Sequence, residues 1–269
     1  LIDDLSQTDT DTVWELVSLR WRGLQFLRNT WGEVAMGYEP LGGHEVYTPE
    51  DQHSFEACMD RRQEINRILA DITGDKEVFR LNDAQIKHAG LAGISHLISN
   101  VAEGQINTGQ LMRTLIRAAQ AEGITLLNGL SIQEIHPDPT STKVITSHGW
   151  ELSFPKVLVA TNGFTRQLLP ELAVKPARNQ VLITKPIKDL PLKGAYHYDR
   201  GYVYFRDLHD RVLIGGARNL DPMGETTETF GETEIIQNRL MELLQTVILP
   251  DTSVEIERSW SGILGVGSI

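Results

Sequence analysis

The spacing of the apolar residues changes twice along the chain, and no other feature of the sequence narrows the fold as much. In the first hundred residues the apolar positions recur at helical intervals. Val13, Leu16, Val17, Leu24 and Leu27 share one face until Gly32 interrupts them, and Thr12 with Glu15 three residues later has capping-box spacing. Residues 42–47 have the length of a short strand, and Thr48-Pro49 is suited to cap and start a second helix reaching about Asp71. A shorter helical piece is expected over residues 82–88. Residues 1–100 therefore read as mostly helical, with at least one strand.

After Asn100 the texture shifts. Asn107 is placed to cap a helix with Leu111, Leu115, Ala118 and Ala119 on its apolar side, and Gly123 lies where a left-handed residue ends one. A short apolar run follows at residues 124–127. Three strand-like pieces come next (130–136, 143–147 and 150–154), broken by Pro137-Asp138-Pro139 and His148-Gly149. Residues 157–160 are wholly apolar, as a strand buried on both faces would be. That order of elements is one half of a dinucleotide-binding domain. From Pro176 the period becomes two: residues 180–184, 195–198, 202–205 and 212–215 read as strands of an antiparallel sheet. A helix at 233–244 and a strand at 253–260 complete it. The expected class is α/β, with a partial Rossmann-like domain over 101–175. An α+β unit would be built from 1–100 and 176–260, and 261–269 would return to the first domain.

Composition excludes several functions. With 36 acidic and 25 basic residues the formal charge is −11, which repels nucleic acid and acidic membranes. No apolar stretch approaches a bilayer span, and the acidic start (Asp3, Asp4, Asp9, Asp11) is unlike a signal peptide. The single cysteine, Cys58, builds neither a disulfide nor a zinc cage and fits a reducing, cytoplasmic setting. No metal site is expected, because the histidines show no ligand spacing, and the common nucleotide, hydrolase and calcium motifs are absent. The chain starts at Leu1 without methionine and stops in a glycine-rich run, Gly265-Val266-Gly267-Ser268-Ile269, which reads as a segment of a longer protein.

Three groups of residues are suited to chemistry. Ala160, Thr161, Asn162 and Gly163 end the apolar run with a glycine that lets backbone approach a phosphate, although an ordinary turn is the simpler reading of four residues. Tyr196, Tyr198, Tyr202 and Tyr204 flank the turn Asp199-Arg200-Gly201, where phenols either donate to a ligand or pack across strands. Trp260 is followed by Gly262, Gly265 and Gly267, a spacing that is not G-x-G-x-x-G but allows close passage of a flat ligand, or a plain loop.

Taken in order, these segments resemble the D-amino-acid oxidase-like family of FAD-dependent oxidoreductases. Residues 103–109 are similar to its segment leading back into the FAD domain, and Asn128-Gly129-Leu130-Ser131-Ile132 to its adenine-side strand. Residues 157–163 resemble its V-x-A-T/N-x-G strand end. Pro176-Ala177-Arg178-Asn179-Gln180-Val181 resembles P-x-R-G-Q-V with asparagine in place of the glycine. The tyrosine pairs, the strand Arg211 to Ala217, and Trp260-Ser261-Gly262 as W-x-G complete the likeness. It implies FAD held through the backbone of Ile132, Ala160, Thr161, Asn162 and Gly163. Gly262, Ile263, Leu264 and Gly265 would run beside the flavin, and Tyr202, then Tyr196, would bond the substrate. The implied activity removes a hydride from the C–H next to an amine nitrogen of a small amine or amino acid, after which the imine hydrolyses.

The likeness also implies that the family's glycine fingerprint lies upstream of Leu1, so that this stretch by itself holds FAD weakly. Amino-acid oxidases of the family place arginine where this chain has Leu264. A substrate carboxylate would lose its partner there, which favours an amine without one. The alternative is a noncatalytic binding module that has lost its cofactor. A tRNA-modifying relative is disfavoured by the negative charge.

Overall fold

The computed structural model describes residues 1–267, so the last two positions of the glycine-rich run lie outside the described residues. Helix α1 (Ile2–Gln7) leads into α2 (Thr10–Trp31), where the Asp9 carboxylate accepts the Thr12 backbone N–H at 3.0 Å. The cap expected at Thr12 is thus one turn early, because Asp9 already satisfies the free N–H there. After α3 (Glu33–Met36) comes β1 (Gly43–Tyr47), and the Thr48–Asp51 capping box then closes with the Thr48 N–H donating to Asp51 at 2.9 Å. It opens α4 (Gln52–Thr73), which stops at Gly74 in a left-handed conformation of φ +84°. β2 (Phe79–Leu81), α5 (Ala84–Ala89) and β3 (His96–Asn100) follow. Neither strand was expected, since each is short and lies among helical spacing.

Asn107 caps α6 (Thr108–Ala121), accepting the Gln110 N–H at 3.0 Å. β4 (Ile132–Pro137), β5 (Thr142–Thr146) and β6 (Glu151–Phe154) form a separate antiparallel sheet. The remaining elements are β7 (Val174–Thr184), β8 (Ala195–Tyr198), β9 (Val203–Leu208), β10 (Arg211–Gly216), α7 (Glu234–Leu243) and β11 (Ile256–Gly267). Together with β1 to β3 these strands build an eight-stranded sheet ordered β11-β7-β10-β9-β8-β1-β3-β2, antiparallel except where β1 meets β8. The architecture is mixed α/β, dominated by antiparallel pairing. No helix among the described residues is long and apolar enough to cross a membrane.

Two expectations need correction. Residues 124–127 and 157–160 are not strands, and Leu127 and Leu158 are 63% and 90% exposed. A strand buried on both faces needs partners on both edges. Among the described residues no strand runs beside either segment. The last strand also continues past Trp260: β11 pairs with β7 as far as Gly267 opposite Val174, with no break at residue 261.

Alternation of side chains gives the large sheet two unlike faces. On the first, Tyr196, Phe205, Leu182, Val212 and Ile214 pack with Ile236, Leu240 and Leu244 from α7 and the turn after it. Full burial of each such side chain contributes roughly 1.5–3 kcal/mol, which makes this the main core. On the second, Tyr47 and Ile98 meet Phe55 of α4 at one end of the sheet, and α4 in turn packs with Trp14 and Val17 of α2. From β8 to β11 that second face carries half-buried or exposed side chains, among them His197, Tyr204, Arg206, Asn179, Trp260 and Leu264.

Candidate functional site

The free edge of β11 would expose unpaired N–H and C=O groups, as any edge strand does. A turn covers it. Residues Asn162–Gln167 form a six-residue 3-10 segment, with Asn162 at φ +49°, a conformation asparagine tolerates better than most residues. Its Oδ1 accepts the Gly265 N–H at 2.7 Å and its Nδ2 donates to the Ile263 carbonyl at 3.4 Å. Gly163 makes the approach possible: a Cβ there would stand 2.6 Å from Ile263 Cγ2 and 2.7 Å from the Leu264 carbonyl oxygen. Gly265 serves the same end from the other side, since its Cβ would lie 2.9 Å from the Asn162 carbonyl carbon. Asn162 and Gly163 on one side, and Ile263, Leu264 and Gly265 on the other, are therefore one junction.

A strap of residues 224–233 braces this junction. Gln167 donates to Glu228 at 2.6 Å, Phe164 and Phe230 lie 6.0 Å apart, and the Gly231 N–H donates to Ser261 at 2.9 Å. Its anchor is Glu225, buried against Arg178 of β7. Arg178 Nε and Nη2 reach its two oxygens at 3.0 and 2.8 Å, and Gln180 and Thr233 donate at 2.9 and 3.1 Å. Burial pushes the Glu225 carboxyl upward, but the hydrogen bonds from Arg178, Gln180 and Thr233 outweigh it and hold the group below its ordinary value.

Beside the junction, the second face of the sheet is open. Trp260, Gly262, Leu264 and Val266 alternate onto one side of β11, and a Cβ built at Gly262 would meet nothing within 4 Å. Directly across from Gly262 stands Asn179, and one strand further Gly215 leaves room for the Tyr204 ring. A Cβ at Gly215 would fall 2.6 Å from the Tyr204 hydroxyl, so the phenol lies across the missing side chain and accepts the Asn179 Nδ2–H at 3.1 Å. Asn179 Oδ1 is buried and has no hydrogen-bond partner among the described residues. Burial keeps the Tyr204 hydroxyl protonated by raising its pKa. The next residue in the row, His197, faces Tyr204 across the β8–β9 pair and lies 3.5 Å from Glu45, whose hydrogen bond raises the imidazole pKa.

The other expected residues divide. Tyr196 is not at the site: it is fully buried, stacked on Phe205 at 4.9 Å, its hydroxyl accepting from Gln85 at 2.9 Å and donating to the Lys193 carbonyl at 3.0 Å. Its O–H is thereby committed within the core. Tyr202 is exposed just before β9, and its carbonyl accepts the Ala217 N–H at 2.7 Å. Ile132 opens β4 in the separate sheet, whose extensive contacts are with β5 alone. Ala160 is exposed, and Thr161 caps the turn. Sequence reasoning missed Asn179 and Tyr204 as a pair. The signals were the asparagine standing in a glycine's place and a glycine, Gly215, inside a strand. Among the described residues no group of His, Cys, Asp or Glu is arranged to hold a metal ion.

Residues 5–267 match the family described as FAD dependent oxidoreductase (DAO). Iminodiacetate oxidase from Chelativorans sp. superposes with a TM-score of 0.74 at 18% identity, over 97% of this chain and 70% of its own. Glycine oxidase from Bacillus cereus gives 0.73 at 19% over 95% and 68%, and L-proline dehydrogenase from P. horikoshii 0.70 at 15% over 90% and 65%. The bifunctional protein ThiO/ThiG of Trichormus variabilis is 26% identical over 122 residues, 44% of this chain and 18% of that protein. The chain thus spans about two thirds of the solved relatives' length and under a fifth of the curated one's.

Proposed function

Because the chain belongs to the FAD dependent oxidoreductase (DAO) family, we propose that the protein oxidises the C–H bond next to the nitrogen of a small amine or amino acid. The observation that carries this reading is the junction of Asn162 and Gly163 with Ile263, Leu264 and Gly265, set beside an open apolar strip of Trp260, Leu264 and Val266. A flat ring fits such a strip. The open space over Gly262 is where a ligand would be seated.

In this reading Ala160, Thr161, Asn162 and Gly163 hold FAD through backbone groups, and Gly262, Ile263, Leu264 and Gly265 pass alongside its ring. Bound FAD supplies the acceptor for a hydride leaving the substrate carbon. The chain's own residues do the rest. Trp260 and Leu264 exclude water from the reacting carbon, and Tyr204, its hydroxyl held by Asn179, faces the nitrogen from the sheet floor. Tyr202 contributes a hydroxyl from the exposed turn. Hydride loss from the neutral amine leaves an iminium ion, which takes up water and gives a carbonyl compound and a protonated amine or ammonium.

The test is the visible spectrum of the full-length protein purified from cells. The paired flavin bands are expected, or their recovery on adding FAD. A protein that shows neither is not this enzyme.

A further inference from the structure

A cavity of about 250 Å³ lies on the first face of the large sheet, the face opposite Tyr204 and Gly262. Pockets for drug-sized molecules begin at roughly 300 Å³, so its occupant is small. The floor is apolar: Val203 of β9 and Ala217 after β10 are buried, and Leu220 adds one side. Three polar side chains reach it, each with a group to spare. Tyr198 faces Val203 across the β8–β9 pair, and its hydroxyl forms no hydrogen bond among the described residues. Arg239 of α7 gives Nη1 to Glu242 at 2.9 Å and keeps Nε and Nη2. Asp199 accepts the Asn219 Nδ2–H on Oδ2 at 3.2 Å, while Arg200 Nε stands 4.0 Å from its Oδ1.

The Asp199 and Arg239 side chains are 38% and 34% exposed, so a solute can reach them. Although they line one cavity, no ion pair joins them among the described residues. Opposite charges are thus held apart above an apolar floor. Glu50 and Asp51, from the turn before α4, also act on the Tyr198 hydroxyl, but the Asp51 carboxylate is spent on Thr48. A simple amine seated here would face Arg239, and a simple acid would face Asp199 and Glu50. A molecule with both charges satisfies each wall. The backbone adds a second sign of a built site. Ala217 is held at φ +60°, where alanine is rare, and its N–H donates to the Tyr202 carbonyl at 2.7 Å. Tyr202 in turn gives its N–H to the Asp199 carbonyl at 3.0 Å, which ties the floor to the acidic wall.

We propose that this cavity is a second ligand site, for a small α-amino acid in its zwitterionic form. The carboxylate meets Arg239 and the Tyr198 hydroxyl, the ammonium meets Asp199, and the side chain lies over Val203 and Ala217. The site stands apart from the amine-oxidising reading, since none of these contacts involves the cleft beside β11.

The test uses the full-length protein and 2-aminoisobutyrate, a zwitterion with no C–H next to its nitrogen, so that oxidation does not consume it. Pivalate and tert-butylamine are isosteric probes that carry one charge each. Gly262→Val, whose side chain enters open space, fills the cleft and leaves the cavity on the other face. In that variant and in the unaltered protein, isothermal titration calorimetry should show 2-aminoisobutyrate bound to the cavity at one per chain, with the same affinity. Pivalate and tert-butylamine should each bind at least about 10-fold more weakly. Arg239→Gln should weaken the zwitterion about 10- to 100-fold, and so should Asp199→Asn, which keeps a residue that tolerates the left-handed turn. Tyr198→Phe, which should lose part of the affinity, is the further variant if either of these fails to fold. Backbone amide shifts on binding should centre on Tyr202 and Ala217. No binding of 2-aminoisobutyrate at millimolar concentration, a singly charged probe that binds as tightly, or unchanged affinity in the Arg239, Asp199 or Tyr198 variants would each overturn the proposal. Binding abolished by Gly262→Val would place the ligand in the cleft and overturn it as well.

Discussion

Replacing Gly163 with alanine adds one methyl group where the structure has no room for it. The new carbon would stand 2.6 Å from Ile263 Cγ2 and 2.7 and 3.0 Å from the Leu264 carbonyl oxygen and carbon. The isoleucine methyl is able to rotate away, but the carbonyl belongs to β11, which is hydrogen-bonded to β7 along its length. The turn must therefore lift off the strand. Overpacking of this kind costs roughly 1–3 kcal/mol. Lifting the turn also stretches the Asn162 bond to the Gly265 N–H at 2.7 Å and the weaker one to the Ile263 carbonyl at 3.4 Å, together worth about 1–2 kcal/mol. The expected loss of stability is about 2–5 kcal/mol, read by urea unfolding of the full-length protein. Amide hydrogen exchange supplies the local reading, since the Gly265 N–H should lose protection in the variant. An alanine protein with unchanged unfolding midpoint and unchanged Gly265 exchange would show that the turn does not rest on β11 as described.

Four further outcomes follow from named residues. Arg178→Met leaves the Glu225 carboxylate buried without its cation and should cost about 3–5 kcal/mol in denaturant unfolding; an effect below 1 kcal/mol would remove the strap's anchor from the account. The Glu225 carboxyl titrates below its unfolded value of 4.5, so the stability it contributes is present above that pH and is lost as pH falls through the folded value. The difference between the parent protein and Glu225→Gln should therefore shrink on acidification, and a constant difference would contradict it. Tyr196→Phe should lower stability by about 1–3 kcal/mol through two lost hydrogen bonds and leave substrate KM unchanged. Tyr202→Phe should do the reverse, raising KM or slowing turnover with little change in Tm.

The parts of the fold that were legible in the sequence are those whose partners lie nearby. The caps at Thr48 and Asn107 act within one turn of chain, and strands β8, β9 and β10 are consecutive hairpin neighbours whose alternation of period two survives in the folded sheet. Residues 157–160 had the composition of a buried strand but no neighbour to pair with among the described residues, and composition does not specify neighbours. β3 was missed because its five residues gain their meaning from β1 and β2 on either side. At the site, the meeting of Asn162 with Gly265 spans 103 residues, a separation across which local spacing carries no signal. The sequence leaves Tyr196 open between two places, because a phenol on a strand serves a core as readily as a pocket, and the face of the sheet puts it in the core. Asn179 and Tyr204 depend on cross-strand register, which becomes visible once the strands are aligned.

The central claim is that the Asn162 turn and the strip from Trp260 to Val266 border one cleft that holds a flavin. Its most direct test is Trp260 fluorescence in the full-length protein, with the other tryptophans replaced by phenylalanine and FAD added to the stripped apoprotein. Energy transfer to a ring lying against the strip should quench that emission almost completely, at one FAD per chain. Emission that is unchanged when FAD is bound would place the flavin elsewhere and contradict the account.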